Sequence, residues 1–239
     1  MIFYSQPFRI ELLGTTLIAN SKTIHPIVRT FSELKDVLNE APVSEGDAYY
    51  MYREIIKKDG LRYDITVIPV WEKEKEMSKT YGHCHPIAEK NLSYPEVYQI
   101  LSGTAIFILQ KELSNGGFFV SIVEGKKGDI LLIPPNFCHT TINSSKDMLV
   151  LSNIVADDFT SDYSMFKKNH GAAYYVTPDG GFLHNPYYII SQNERVKTND
   201  INKRYGFECK DILLEFVANP QKFEFLKKPS LLKLNNTYL

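Results

Sequence analysis

Short runs of apolar residues, each closed by turn residues, fill the chain between positions 48 and 155. The runs at 49–56 and 61–70 are aromatic and β-branched, and Lys58-Asp59-Gly60 between them is typical of a hairpin. The later runs of this kind are 95–101, 104–111, 118–123, 129–133, 137–143 and 147–155. With no helical pattern between them, this spacing predicts about nine short strands in a sandwich, jelly roll or barrel.

The segments on either side of this region have a weaker pattern. Residues 1–30 look irregular, apart from apolar runs at 10–13 and 16–19. Thr30-Phe31-Ser32-Glu33 has the form of a capping box, and the apolar positions that follow it share one helical face up to Pro42. The sequence therefore predicts a single helix before the strands begin.

Beyond the strand region, Pro178-Asp179-Gly180-Gly181 predicts one more hairpin and residues 220–226 predict a short helix. Residues 71–79 are charged and are predicted to form a loop. We expect one domain: residues 1–47 pack strands and a helix on a barrel formed by residues 48–165, and residues 166–239 extend the same unit.

Composition excludes several classes of protein. The chain has 239 residues, of which 44% are hydrophobic and 23% are charged, and its net charge is -1. These values are typical of a globular domain and give no general attraction to nucleic acid or anionic lipid. No run of about 18 apolar residues is present, and no signal peptide is recognisable, so we expect a cytoplasmic protein without a membrane span.

The strongest chemical signal is the sequence His83-Cys84-His85. Because successive side chains of an extended strand point to opposite faces, the two imidazoles project to one side and Cys84 to the other. Glu96 and His139 add a carboxylate and a third imidazole near the starts of two predicted strands. Such a set binds a divalent transition metal and leaves open positions for water or substrate oxygens.

A plainer interpretation makes His83 and His85 surface strand residues and Glu96 a solvated carboxylate. The position of Glu96 and His139 within the strand region favours the metal site.

The chain has 3 cysteines and no CxxC motif, which argues against a disulfide framework and fits a reducing compartment. Cys84 and Cys138 are accordingly predicted to be thiols in the core or on the surface, not metal ligands.

These residues carry a resemblance to a known superfamily. Gly82-His83-x-His85 followed by Glu96-(x6)-Gly103 is similar to the first cupin motif, and Gly128-(x5)-Pro134-x-Asn136-xx-His139 is similar to the second. Asn136 stands where cupins usually have Gly, and Asn also tolerates a positive φ. The resemblance implies an all-β, single-domain cupin, a double-stranded β-helix or jelly-roll barrel with a few peripheral helices, that pairs into a homodimer.

Within the cupins, residues 48–165 resemble the cupin-type glucose-6-phosphate isomerases. The matching segments are Asp64-Ile65-Thr66, Thr80-x-Gly82-His83-x-His85, Pro95-Glu96-Val97-Tyr98 and Leu101-x-Gly103. The resemblance implies that a metal is held by His83, His85, Glu96 and His139. It also implies that the substrate phosphate is held by Thr66, Thr80, Gly82 and Tyr163. The sequence departs from this family at Val155 and Ser161, where the family has an aromatic residue and a histidine that contact substrate, so the exact sugar stays open.

The resemblance implies a metal-dependent aldose–ketose isomerase that interconverts glucose 6-phosphate and fructose 6-phosphate in glycolysis and gluconeogenesis. Glu96 is the candidate base, acting through a cis-enediol, with Tyr98 bonded to a substrate oxygen or to the carboxylate; a hydride shift is the rival route. The cofactor is one divalent ion per chain, with Fe2+ favoured and Mn2+, Ni2+ or Zn2+ also compatible. The alternatives are a non-heme iron dioxygenase and a non-catalytic sugar-phosphate-binding protein. The expected partner is a small sugar phosphate, without nucleic acid or membrane.

Overall fold

The computed structural model describes residues 1–71 and 73–233. The strands are β1 (Ile2–Tyr4), β2 (Ile10–Leu13), β3 (Thr16–Ala19), β4 (Lys22–Ile24), β5 (Ile27–Thr30), β6 (Asp47–Lys58), β7 (Leu61–Ile68), β8 (Ile87–Glu89), β9 (Leu92–Ser93), β10 (Glu96–Ser102), β11 (Thr104–Glu112), β12 (Phe118–Lys126), β13 (Ile130–Ile133), β14 (Cys138–Asn143), β15 (Leu149–Ala156), β16 (Tyr174–Val176), β17 (Phe182–His184) and β18 (Ile190–Lys197). The helices are α1 (Phe31–Leu34), α2 (Ser164–Lys168), α3 (Thr198–Arg204) and α4 (Ile212–Ala218), with 3-10 turns at Lys35–Val37, Pro220–Leu226 and Pro229–Leu231.

The largest layer is a six-stranded sheet in the order β13-β10-β15-β7-β6-β5. Both faces of its central strands are buried, because alternate residues of these strands enter different hydrophobic clusters. In β10, Tyr98 and Ile100 belong to one cluster, whereas Val97 and Leu101 belong to the other. Burial on both sides explains why these strands read as continuous apolar runs in the sequence.

A second sheet of four strands, in the order β14-β11-β12-β18, closes the other side of the core. The rings of Tyr98 from the large sheet and Phe107 from β11 meet with centroids 5.7 Å apart. Strand β18 runs parallel to β12, and the other neighbours in this sheet are antiparallel. The space between the two sheets therefore holds both the main core and the side chains of the predicted site.

The outer face of the large sheet is covered by the two ends of the chain. A small sheet of β1-β2-β3-β4 contributes Ile10 and Leu12, and α4 with the following 3-10 turn contributes Phe216 and Phe223. These side chains share a hydrophobic cluster with Tyr63 and its neighbours on β7. The two ends thus cover a sheet face that would otherwise expose large apolar residues.

The all-β fold with a few peripheral helices is confirmed. The capping box at Thr30 is present, but α1 ends at Leu34 and continues only as a 3-10 turn, because Leu38 is extended with ψ 148°. The irregular pattern in residues 1–30 was misleading, since five strands lie there, within the region 1–47 where strands and a helix were expected. Asn136 has the predicted positive φ, 68°. The predicted loop at Glu72 and the last part of the C-terminal extension, residues 234–239, lie outside the described residues.

The prediction that Cys84 and Cys138 are thiols is wrong, because the two form a disulfide with a Cα–Cα distance of 4.2 Å. His83 and His139 are directly opposite each other and exchange both backbone hydrogen bonds. The cysteines are the next pair along, a pair without mutual hydrogen bonds, where antiparallel strands come closest. Cys209 is a free thiol. Among the described residues, no helix is long and apolar enough to cross a membrane.

Candidate metal and active site

His83, His85 and Glu96 converge between the sheets, with one ligand atom from each lying within 4.8 Å of the other two. The Nε2 atoms of the two histidines are 3.0 Å apart, and Glu96 Oε2 is 3.4 Å from His85 Nε2. Strand alternation brings the two imidazoles together as predicted, and Glu96 begins β10 on the same interior face as Tyr98. This trio is a set that could hold a metal ion.

His139 reaches the same place from β14. Its Nε2 lies 3.4 Å from Glu96 Oε2, and its ring centroid lies 4.5 Å from that of His83. Tyr98 places its hydroxyl 3.2 Å from His139 Nε2. His139 therefore borders the trio, and the structure brings together all five residues predicted to bind metal or to act in catalysis.

Burial controls the protonation of this cluster. Desolvation, aided by the neighbouring imidazoles, holds the pKa values of His83 and His139 well below 6.5, and desolvation lowers the pKa of His85 to about 4. Burial raises the pKa of Glu96 to about 7, although Arg53 and Arg62 oppose this rise. At neutral pH the rings are thus uncharged, and their short contacts with Glu96 are not ion pairs.

The tautomer of His85 follows from its neighbour. Its Nδ1 lies 2.9 Å from the carbonyl oxygen of Tyr94, which can only accept, so Nδ1 carries the proton and Nε2 offers its lone pair to the site. Glu96 Oε2 and His139 Nδ1 are buried without a hydrogen-bond partner among the described residues. A buried carboxylate oxygen that accepts no hydrogen bond, together with neutral imidazole nitrogens, forms a ligand set that fits a divalent transition metal.

Two of the four residues predicted to hold phosphate, Tyr163 and Gly82, lie beside this cluster. The ring of Tyr163 is 5.9 Å from that of His83 and 5.3 Å from that of Tyr81. Gly82 has φ +84°, and a Cβ atom there would lie 2.3 Å from the ring of Phe166. The segment after Tyr81 can therefore pack under α2 only with glycine at this position.

Thr66 and Thr80 differ in their surroundings. Thr66 is buried on β7, opposite Met51 on one side and Leu151 on the other. The Thr80 hydroxyl accepts a hydrogen bond of 3.0 Å from the Thr141 backbone N–H and lies 3.2 Å from the Thr140 hydroxyl. Thr140 donates its hydroxyl proton to the Thr80 carbonyl oxygen at 2.9 Å, so the Thr80 hydroxyl is the donor in the 3.2 Å contact. Thr80 thus uses its hydroxyl to fasten its segment to β14.

Arg29 is a residue of this edge that the sequence analysis missed. Its guanidinium carbon is 5.1 Å from the ring centroid of Tyr163 and 5.8 Å from that of Tyr81. One guanidinium nitrogen bonds to Glu33 at 3.0 Å, but Nε is buried without a partner among the described residues. Nothing in the local sequence marks this arginine, because the strand pairing that opposes Arg29 to Tyr49 creates its position.

A polar network on the interior of the large sheet was also missed. The Asp64 carboxylate is fully buried and lies 2.7 Å from an Arg53 nitrogen and 3.0 Å from Arg62 Nε. Asn153 is opposite both Tyr98 and Asp64, and its Nδ2 is buried without a partner among the described residues. Alternation from Thr66 would have placed Asp64 and Arg62 on the same interior face.

The two departures from the family pattern fall in different places. Val155 is buried on β15 opposite Arg62. Ser161 is only half-buried, just before the residue whose backbone pairs with Cys84. An aromatic ring that the sequence did not single out, Phe159, stands 4.6 Å from the ring of His85.

Two curated relatives and one solved structure illustrate what this chain is similar to. A chain from Thermococcus onnurineus named glucose-6-phosphate isomerase is 28% identical over 191 residues, which are 74% of this chain and 93% of that one. A Thermococcus litoralis protein of the same name is 29% identical over 170 residues, covering 67% and 84%. Among solved structures, a cupin 2 conserved barrel domain protein from Rhodopseudomonas palustris matches with TM-score 0.37 and 15% identity over 59% of this chain and 76% of that one.

The match to a family description extends across most of the chain. It spans residues 22–192, and so includes the whole converging cluster together with Arg29 and Tyr163. The matched region begins in the small N-terminal sheet and ends in β18. On this evidence the chain belongs to the glucose-6-phosphate isomerase family.

Proposed function

We propose that this protein is a metal-dependent aldose–ketose isomerase that interconverts glucose 6-phosphate and fructose 6-phosphate. The observation that carries the proposal is the buried Glu96 carboxylate among three neutral imidazoles inside a β shell. Family membership supports the reaction, and the Thermococcus relatives bear the name of this enzyme. The curated relatives are covered over 84% to 93% of their lengths.

One divalent ion per chain is part of the proposal, with His83, His85, Glu96 and His139 as its ligands. Three nitrogens and one carboxylate oxygen suit Fe2+ best, and Mn2+, Ni2+ and Zn2+ are also compatible. When bound, such an ion polarises a carbonyl oxygen and stabilises the negative charge of an enediolate. The low pKa values of the buried imidazoles support this assignment, because they keep the lone pairs free at neutral pH.

Glu96 is the group we assign to proton transfer between C1 and C2 of the open-chain sugar. In the metal-free site burial raises its pKa to about 7. A bound divalent ion would lower that pKa and make the carboxylate a weaker base, so the two roles proposed for Glu96 compete. The Tyr98 hydroxyl is close enough to the cluster to bond a substrate oxygen or the carboxylate. A direct hydride shift between the two carbons is the rival route, in which Glu96 serves as ligand alone.

We assign the phosphate end of the substrate to the edge beside Gly82 and Tyr163, with Thr66 and Thr80 as its further candidate residues. Hydroxyl and amide groups alone give a dianion no opposite charge, and Arg29 supplies one. Its guanidinium is permanently charged and lies over the Tyr163 ring, and the half-exposed Glu33 that pairs with one of its nitrogens leaves the other nitrogens to bind phosphate. We therefore add Arg29 to the residues expected to bind phosphate.

The cytoplasmic location and the homodimer stay predictions. The division of the chain into residues 1–47, 48–165 and 166–239 is also still a prediction. The Cys84–Cys138 disulfide bears on the first of these, because disulfides are uncommon in reducing compartments.

The test is an isomerase assay on the full chain purified without a metal-affinity tag. We expect conversion of glucose 6-phosphate to fructose 6-phosphate and a loss of at least a thousandfold in Glu96→Gln. The exposed Glu112→Gln should retain full activity as the matched control. No conversion by the wild type with any of the four ions would contradict the proposal, and oxygen consumption with an enediol or thiol substrate would favour the dioxygenase.

A further inference from the structure

The single disulfide found among the described residues joins the two stretches of chain that carry the histidines of the site. Cys84 lies between His83 and His85, and Cys138 directly precedes His139. We propose that this disulfide is a clamp that positions the three imidazoles and thereby sets how firmly the site retains a divalent transition metal. The inference rests on the metal-binding part of the proposed function.

The clamp acts where the backbone pairing is interrupted. The segment 79–84 is bridged to β14 at Lys79–Ile142 and at His83–His139, and Thr80 donates its N–H to the Thr141 carbonyl at 2.9 Å, but these bonds do not form a continuous ladder. The His83 and His139 amides exchange bonds of 3.0 and 2.9 Å, and the disulfide follows directly after this pair. A covalent bond at this point keeps His83 opposite His139 when the few neighbouring hydrogen bonds open.

Cys84 also contacts the segment before α2, and these contacts indicate how the His83–His85 stretch would move without the disulfide. Cys84 N donates to Asp162 O at 2.8 Å, Asp162 N donates back at 2.8 Å, and Cys84 Sγ lies 4.0 Å from Met165 Sδ in α2. These contacts hold the His83–His85 stretch to the segment before α2. After loss of the disulfide, the stretch keeps these contacts and can separate from β14, which carries His139.

The clamp does not occupy the metal site itself. The two cysteine side chains project from one face of the strands, and the imidazoles project from the opposite face. Opening it takes two electrons and two protons: a dithiol such as dithiothreitol breaks the Sγ–Sγ bond, leaves thiols at Cys84 and Cys138, and itself closes to a disulfide. The dithiol form should therefore retain the same ligands but hold them in a looser arrangement.

Release of Co2+ tests this directly, because its absorption reports the ligand geometry and needs no turnover. Metal-free protein is loaded with Co2+, and its transfer to EDTA is followed in the wild type, in Cys84→Val/Cys138→Val and in Cys209→Ser. The valine pair retains the apolar volume of the cross-strand contact, and Cys209 is the free thiol elsewhere in the chain. Replacing the cysteines makes it unnecessary to add thiol reductants, which would compete with the protein for Co2+.

We expect release at least tenfold faster from the valine pair, with an altered visible spectrum, and no change in Cys209→Ser. The circular dichroism of the metal-free proteins checks that each variant folds, and wild type opened with a phosphine reductant replaces the valine pair if that variant does not fold. Equal release rates overturn the clamp while leaving the metal site intact. Three titratable thiols in the unreduced protein also overturn it. A wild type that binds no Co2+ overturns both the clamp and the proposed metal.

Discussion

Glu96 is the residue whose environment matters most for the proposed chemistry. Its carboxylate is fully buried, its Oε2 lies within 4.0 Å of all three imidazole Nε2 atoms, and that oxygen has no hydrogen-bond donor among the described residues. Burying a carboxylate in this way disfavours its charge unless a cation compensates. The residue is therefore unfavourable for stability in the metal-free protein and suited to function in the loaded one.

The first prediction concerns the pH dependence of stability in the metal-free protein. The folded pKa of Glu96, about 7, exceeds its usual value of 4.5, so between these values the folded state binds the proton that the unfolded state has lost. The contribution of Glu96 to stability thus falls as pH rises from 4.5 to 7, by about 3 kcal/mol in all.

Chemical denaturation of wild type and Glu96→Gln across this range measures the effect. The variant should gain stability relative to the wild type as pH rises, since glutamine does not ionise. Glu112→Gln, at an exposed position, should follow the wild type. If the difference in unfolding free energy between Glu96→Gln and wild type stayed constant with pH, the pKa of Glu96 would not be shifted in the folded state.

The second prediction concerns Arg29. Replacement by Met retains the contact with the aromatic rings but removes the charge, so KM for glucose 6-phosphate should rise about tenfold to a hundredfold while kcat changes little. The same variant should act on unphosphorylated fructose like the wild type. Arg9→Met is the control, because Arg9 pairs with Glu11 away from the site. An unchanged KM for the phosphorylated sugar would remove Arg29 from the phosphate site.

At the scale of elements, the segment 79–85 decides whether the site forms. It carries two of the histidines, yet it pairs with β14 only at isolated points and packs against α2 through Gly82. Thr80 and the Cys84–Cys138 bond add the remaining attachments. Changes in this short segment should therefore affect the site more than changes in the regular strands.

The third prediction uses two glycines with similar backbone conformations. Gly82 has φ +84° and Gly116 has φ +79°, but a Cβ at Gly82 would lie 2.3 Å from the Phe166 ring and one at Gly116 would meet nothing within 4 Å. Gly116→Ala should cost about 1 kcal/mol from backbone strain alone, whereas Gly82→Ala should cost about 2–4 kcal/mol. Denaturant unfolding measures both, and equal losses would show that the Phe166 contact is unimportant.

Particular elements show what the sequence could and could not predict. Alternation in β10 and β14 correctly placed Glu96 and His139 on interior faces, because strand geometry is local. Strands were expected within residues 1–47, but the bounds of the five in residues 1–30 were not predicted, because each has only 3 or 4 residues and is stabilised by its neighbours. The disulfide was missed because it depends on the register between residue 83 and residue 139, which no local pattern contains.

At the scale of the whole molecule, two sheets bring together ligands that lie far apart in the chain. His83 and His139 are 56 positions apart but occupy opposite positions in one strand pairing. Residue type, strand alternation and the resemblance to the family all indicated the same four candidate ligands in the sequence. Arg29 and Arg53 could not be assigned to the site in this way, because their positions depend on how β5 and β6 pair with the rest of the large sheet.

The central claim is that one divalent ion, held by His83, His85, Glu96 and His139, supports isomerisation. Elemental analysis of the protein purified without a metal-affinity tag, combined with the isomerase assay before and after chelation, tests it most directly. We predict close to one transition-metal ion per chain, loss of activity on its removal and recovery on adding Fe2+ or Mn2+. Full activity in protein from which the metal has verifiably been removed would contradict the claim.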